Sequence, residues 1–243
     1  MSHRILIYGA SQGTGALIAE RLLSAGYDVR AVVRSPQSAT RLPRGVEVVH
    51  GDLTRPESLR GAARDVADIV VTAGVSRPPA TASLVRTVEY EGVRAALEAA
   101  REDGFRGRFL YMTSLGVNRS SALTWLLNRV KGNTLRWRRQ VEALVRESGL
   151  DYTIVRAGIL LNAPSGTHPL EVTQGDRKLT FGTRVARSDV ADLFVALIRA
   201  ERPRRSTVEV IWGRHDSPMA WRTAIGALID DPPVARAGSS RET

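Results

Sequence analysis

One stretch constrains this chain more than any other: residues 4–34. An apolar run, Arg4-Ile5-Leu6-Ile7-Tyr8, gives way to Gly9-Ala10-Ser11-Gln12-Gly13-Thr14-Gly15, then to a helical pattern, then to Asp28-Val29-Arg30-Ala31-Val32-Val33-Arg34. The order is a buried strand, a glycine turn that opens a helix, and a second strand ending in a positive charge. Glycine tolerates positive φ, and without a Cβ it lets backbone N–H groups come close to a phosphate. Strand, glycine turn, helix and strand in this order form a βαβ unit of the dinucleotide-binding kind. Gly9, Ser11, Gln12, Gly13, Thr14 and Gly15 are therefore the first candidate cofactor contacts.

The alternation continues. Leu17, Ile18, Leu22 and Leu23 have helical spacing between Gln12 and Ala25, and Gly26 is placed to end that helix. Further strands are expected at 28–33, 46–49, 66–72, 109–112, 152–156 and 208–211. Helices are expected from a Thr54 cap to near Asp65, over 80–101, over 123–148 with an interruption at Gly132, after Ser188 and Asp189 as caps, and over 217–229. Residues 162–185, rich in proline and glycine, read as loops with a small hairpin around Leu179-Thr180-Phe181. Strands separated by helices without an internal repeat predict a doubly wound α/β fold with a parallel sheet. Residues 1–232 are expected to form one domain, with 157–185 and 205–230 contributing a small substrate-side lobe and 233–243 a flexible tail. Ligands of such sheets bind beyond the carboxyl ends of the strands, which here are 9–15, 34, 52–53, 72–75, 113–115 and 156–160.

Arg34 stands where an acidic residue would ordinarily hold the adenine ribose hydroxyls. A guanidinium there suits a 2′-phosphate, with Ser35 as a further donor, so NADP(H) is expected over NAD(H). Asp52 is placed either to accept from the adenine amino group or to hold a turn. The formal charge of +10 comes almost wholly from arginine, since Lys131 and Lys178 are the only lysines, and a positive field favours anionic ligands. Zinc-finger spacing and a basic helix with clustered aromatics are both missing, which argues against nucleic acid. The chain has no cysteine, which excludes disulfides and thiolate nucleophiles. His3, His50, His168 and His215 show no ligand spacing, so no metal is expected; His168, in the loop over the substrate side, reads as solvated. No run of eighteen apolar residues suggests a membrane helix, and a strand beginning at Arg4 argues against a signal peptide. A cytoplasmic location is the resulting expectation.

Several segments together resemble the atypical short-chain dehydrogenase/reductases, specifically their NAD(P)H-binding, NmrA-like branch. They are Gly9–Gly15, Ala31-Val32-Val33-Arg34, Gly51-Asp52-Leu53, Thr72-Ala73-Gly74, Val88-Glu89-Tyr90-Glu91-Gly92 and Tyr111-Met112-Thr113-Ser114. Ser148 to Gly158 and Ser188-Asp189-Val190-Ala191 complete the set, which spans nearly the whole chain. The resemblance implies a Rossmann fold and adds Leu53, Thr72, Ala73, Gly74, Ala157 and Gly158 to the cofactor contacts. Gln12 stands where the branch often has its second glycine, while Gly13 restores the Gly-x-x-x-Gly-x-Gly spacing of the more usual reductases. The family's proline after Arg156 is Ala157.

For catalysis the resemblance implies a Ser-Tyr-Lys set. Ser114 matches the serine. Counting back from Glu142 puts the lysine position on Arg138 and the tyrosine position on Thr134, so tyrosine and lysine are both absent. A threonine hydroxyl is a far weaker acid than a phenol, and arginine does not release its proton, although Arg138 can still bind ribose or phosphate. Trp125 and Trp137 either face a flat substrate or pack helices. Hydride transfer needs no protein acid when the reactants are well placed. The sequence accordingly allows an NADPH-dependent reductase of a small molecule, a non-catalytic NADP(H)-binding regulatory or redox-sensing protein, or an epimerase or isomerase. The expected partner is a small-molecule substrate or effector, without membrane, and the expected state a monomer or homodimer.

Overall fold

The computed structural model describes residues 3–75, 79–201, 203–213 and 220–233. In chain order the elements are β1 (Arg4–Tyr8), α1 (Gly13–Ser24), β2 (Asp28–Val33), α2 (Pro36–Ala39), β3 (Glu47–His50), a 3₁₀ turn (Pro56–Leu59) and β4 (Asp68–Val71). Next come α3 (Ala82–Val85), a π-helical turn (Arg86–Glu91), α4 (Gly92–Glu102), β5 (Arg108–Ser114), α5 (Ala122–Val130), α6 (Thr134–Glu147) and β6 (Asp151–Ala157). The last third holds β7 (Ile159–Leu161), β8 (Leu170–Thr173), β9 (Arg184–Ala186), α7 (Arg187–Arg199), β10 (Arg205–Trp212) and α8 (Ala220–Gly226).

The main sheet runs β3-β2-β1-β4-β5-β6-β10-β8. Every pairing in it is parallel except β8 against β10, while β7 and β9 pair parallel in a separate ribbon belonging to the C-terminal lobe. Strand order reverses between β1 and β4, which opens a crevice above their carboxyl ends. Strand alternation sorts β1 between two cores. Ile5 and Ile7 join Ile18, Leu22 and Phe194 under α1 and α7; Leu6 and Tyr8 join Val93, Leu97 and Val145 under α4 and α6. Burying each of these large side chains contributes about 1.5–3 kcal/mol, which is why α1 holds its place although its glycine-rich start is a poor helix former.

Four local expectations need correction. The helix after Thr54 is only the 3₁₀ turn, because Thr54 donates its N–H and hydroxyl back to Asp52 Oδ1, both at 2.9 Å. Leu179–Phe181 form no hairpin; the short strands of this region are β7 and β9, which pair with each other, and β8, which joins the edge of the main sheet. Ser188 and Asp189 lie inside the first turn of α7, whose N-cap is Ala186. Ser188 Oγ donates to the Ala163 carbonyl at 2.6 Å, and Asp189 accepts from Gly166 N and Trp212 Nε1, both at 2.8 Å. Their polarity ties the lobe's loop to α7 rather than ending a helix. The fourth concerns 80–101, where the helical spacing is real but Arg86–Glu91 widen into the π turn. The expected break in 123–148 falls at Lys131–Asn133, with Asn133 at φ +61°. Of the helix expected over 217–229, residues 217–219 lie outside the described residues, as does the tail from 234.

Arg156, buried on β6, makes a bidentate pair with Glu142 of α6 (3.0 and 2.6 Å) and reaches Asp176 of the lobe at 3.1 Å. Arg146 adds a contact to Glu142 at 3.0 Å and one to Thr207 Oγ1 on β10 at 2.9 Å. This charged cluster joins the helix layer, the sheet and the lobe, so Arg156 is a structural residue.

Candidate functional site

The crevice holds a cleft of about 910 Å³. Its floor is the glycine turn. Gly9 has φ +95°, and a Cβ there would stand 2.7 Å from Ala73 N. A Cβ on Gly15 would stand 2.2 Å from the Gly9 carbonyl oxygen and 2.5 Å from Thr72 Oγ1. The turn therefore packs backbone on backbone, which only glycine permits, and this brings the start of α1 beneath the cleft. No acidic residue occupies the first turn of α1, so its N–H groups present an uncompensated positive end. Gly9, Ser11, Gln12, Gly13, Thr14, Gly15, Thr72, Ala73 and Gly74 all line the cleft.

At one end stand Arg34, Ser38, Arg41, Asp52 and Leu53. Ser35 does not line the cleft; its Oγ caps α2 by accepting from Ser38 N at 3.3 Å. The exposed Arg34 is thus joined by Ser38 and Arg41, neither of which stood out in the sequence. Asp52 Oδ1 accepts both Thr54 hydrogen bonds, and the residue lines the cleft. Burial works to raise its pKa, but the two Thr54 hydrogen bonds and the charges of Arg55 and Arg34 outweigh burial and hold it below the usual range.

The other end is organised by Glu89, which the π turn carries into the protein. Its carboxylate is 3% exposed. It accepts from Val75 N at 3.0 Å, Thr134 Oγ1 at 2.5 Å and Arg138 Nε at 3.1 Å. Burial opposes its ionisation, yet the Arg138 charge and these hydrogen bonds hold the pKa down. The same pair raises the Arg138 pKa against the effect of burial. Arg138 lines the cleft with Met112, Lys131, Leu160, Asn162 and Arg187. Lys131 is half-buried, and burial, then the Arg138 charge, draws its pKa below the ordinary lysine value.

Ser114, Thr134, Ala157 and Gly158 do not line the cleft. Ser114 Oγ donates to the Leu115 carbonyl at 3.1 Å, and Thr134 is buried against Glu89. Ala157 is buried in the sheet, and Gly158 packs under the lobe, where a Cβ would stand 2.6 Å from the Thr183 carbonyl oxygen. The structure therefore lines one cleft with the glycine turn, Arg34, Asp52 and Arg138, leaves Ser114 out of it, and buries Thr134 behind Arg138 on the shared Glu89 carboxylate. Trp137 packs on Tyr90 with ring centroids 5.8 Å apart, and Trp125 is 66% exposed away from the cleft. The His168 ring lies tilted against Trp212, with centroids 4.2 Å apart. Glu89, Asn162 and Arg187 were missed as site residues. Glu89 lay inside a quoted family segment, and Arg187 immediately precedes another.

The residues fit a dinucleotide. The floor would be filled by any Cβ on Gly9 or Gly15, and two buried polar atoms at the cleft, Thr14 Oγ1 and Arg187 Nη1, have no hydrogen-bond partner among the described residues. Fold and cleft together define a nucleotide-binding protein with an oxidoreductase-like Rossmann fold. A family model described as NAD(P)H-binding matches residues 9–201, and the chain belongs to that family. It is 27% identical over 242 residues to sanguinarine reductase of Eschscholzia californica, covering 85% of this chain and 88% of the relative. It is 28% identical to the chloroplastic protein TIC 62 of Arabidopsis thaliana, covering 96% of this chain but 38% of that longer protein. Among solved structures, anaerobillin reductase from Escherichia coli O157:H7 superposes with a TM-score of 0.73 at 25% identity, over 88% of this chain and 99% of that one. The cytoplasmic expectation is overturned by these comparisons, since most of the related curated proteins are chloroplastic. Among the described residues no helix is long and apolar enough to cross a membrane.

Proposed function

We propose that this NAD(P)H-binding oxidoreductase prefers NADPH and reduces a small, unsaturated acceptor held beside Met112, Leu160 and Asn162. The observation that carries the cofactor preference is that Arg34, Ser38 and Arg41 line the cleft along with Asp52. Two guanidiniums and a hydroxyl suit the 2′-phosphate, and the positive end of α1 and Thr14 suit the diphosphate. Bound NADPH supplies a hydride. The residues of this chain then bind and orient the cofactor through the glycine turn, keep Arg138 fixed on Glu89, and hold a proton on the Lys131 ammonium. Sanguinarine and anaerobillin, named for two of the relatives, are the first acceptors to try, followed by quinones and flavins.

In a fluorescence titration, NADPH should bind about tenfold or more tightly than NADH. Arg34→Ala should erase most of that difference by weakening NADPH alone, since a charge-assisted phosphate contact contributes about 1.5–3 kcal/mol. Equal affinities in the wild-type protein would sink the preference. A second reading, NADP(H) binding without turnover, is favoured by one observation: the hydroxyls of Ser114 and Thr134 are committed to Leu115 and Glu89. Tight NADPH binding with no oxidation across the acceptor panel would support it.

A further inference from the structure

Arg187 is the first residue of α7 and follows β9 directly, so it stands where the C-terminal lobe rejoins the main fold. It lines the cleft, and the Cβ position of Gly13 lies 3.9 Å from its Nε. Its Nη1 is buried without a hydrogen-bond partner. Burial lowers its pKa, and among the described residues no carboxylate counters that effect. The other inward-facing arginines behave differently: Arg138 is held by Glu89, and Arg156 by Glu142 and Asp176. Arg187 as a whole is half-buried, but a buried N–H of a cation left without an acceptor is unfavourable, and it gains from an anion. The nearest built place for an anion is the glycine turn beneath it, at the positive end of α1.

We propose that Arg187 closes the glycine turn from the lobe side and donates through Nη1 to the diphosphate of bound NADPH. The assignment rests on the NADPH reading above. It makes the lobe part of the cofactor site, because β9 fixes the backbone of Arg187 and α7 packs directly on α1.

The test compares wild-type protein with Arg187→Met and Arg187→Lys, by calorimetric titration and thermal unfolding. Three ligands are used: NADPH; 2′-phospho-ADP-ribose, which keeps the diphosphate and lacks nicotinamide; and 2′,5′-ADP, which keeps the 2′-phosphate and lacks the diphosphate. Arg187→Met should raise Kd for the first two by the same factor, about tenfold or more, and change the third less. Arg187→Lys should recover part of the loss. Without ligand, the Tm of Arg187→Met should equal or exceed that of wild type, while the Tm rise on adding NADPH should shrink. Unchanged affinities, a loss confined to NADPH, an equal loss for all three ligands, or a fall in ligand-free Tm would each overturn the assignment. Failure of the wild-type protein itself to bind any of the three would instead overturn the NADPH reading, and the assignment with it.

Discussion

Glu89→Ala should destabilise the protein by about 3–5 kcal/mol in urea unfolding, because it leaves Arg138 as a buried charge without its partner. It also strips Val75 N and Thr134 Oγ1 of their acceptor. The loss should be mutual: adding Arg138→Met to Glu89→Ala should restore much of it, since two apolar groups tolerate that interior better than one lone cation. Glu89 also sets a pH dependence whose sign is fixed. Its folded pKa lies below the unfolded value, so its contribution is fully present above about pH 4.3 and is lost as pH falls through the folded pKa. The wild-type minus Glu89→Gln stability difference should therefore shrink in acid and stay flat from pH 5 to 8. A difference that grew in acid would contradict the ion pair.

Lys131→Met should lower kcat for NADPH oxidation by about 10²–10⁴-fold, the usual contribution of a positioned acid, and leave the Kd for NADPH within a few-fold. Lys131 lines the cleft, and burial, then the Arg138 charge, draws its pKa below the ordinary lysine value. The ammonium is the active form, so the wild-type rate should fall as pH rises through a pKa below the ordinary lysine value. Lys131→Arg keeps the charge but cannot give up its proton. It should be as slow as Lys131→Met and should lack the basic limb. A fast Lys131→Arg enzyme would assign Lys131 an electrostatic role only.

The nucleotide half of the site was legible because its constraints are local. Gly9, Gly13 and Gly15 announce a backbone approach at fixed spacing, and Arg34 follows its strand by one residue. The end of the cleft around Arg138 was not, because it depends on distant segments meeting. Thr134 and Arg138 were placed correctly on one helix, but only the π turn shows that Glu89 takes both of them. Arg187 gave no periodic signal, and its meaning comes from α7 lying against α1. The lobe was hardest to read, since β7, β8 and β9 are three or four residues long and each finds its partner far along the chain.

The single antiparallel strand bears on behaviour at high concentration. An open sheet offers two rows of unpaired backbone groups to other chains. At one end β8 is four residues long and backed by α8. At the other, β3 is equally short, and its first residue, Glu47, is ion-paired to Arg4 at 3.2 Å and Arg30 at 2.9 Å. Both margins are too short, and one too charged, to serve as templates for strand addition. A protein built this way can be concentrated with little tendency to grow its sheet from molecule to molecule.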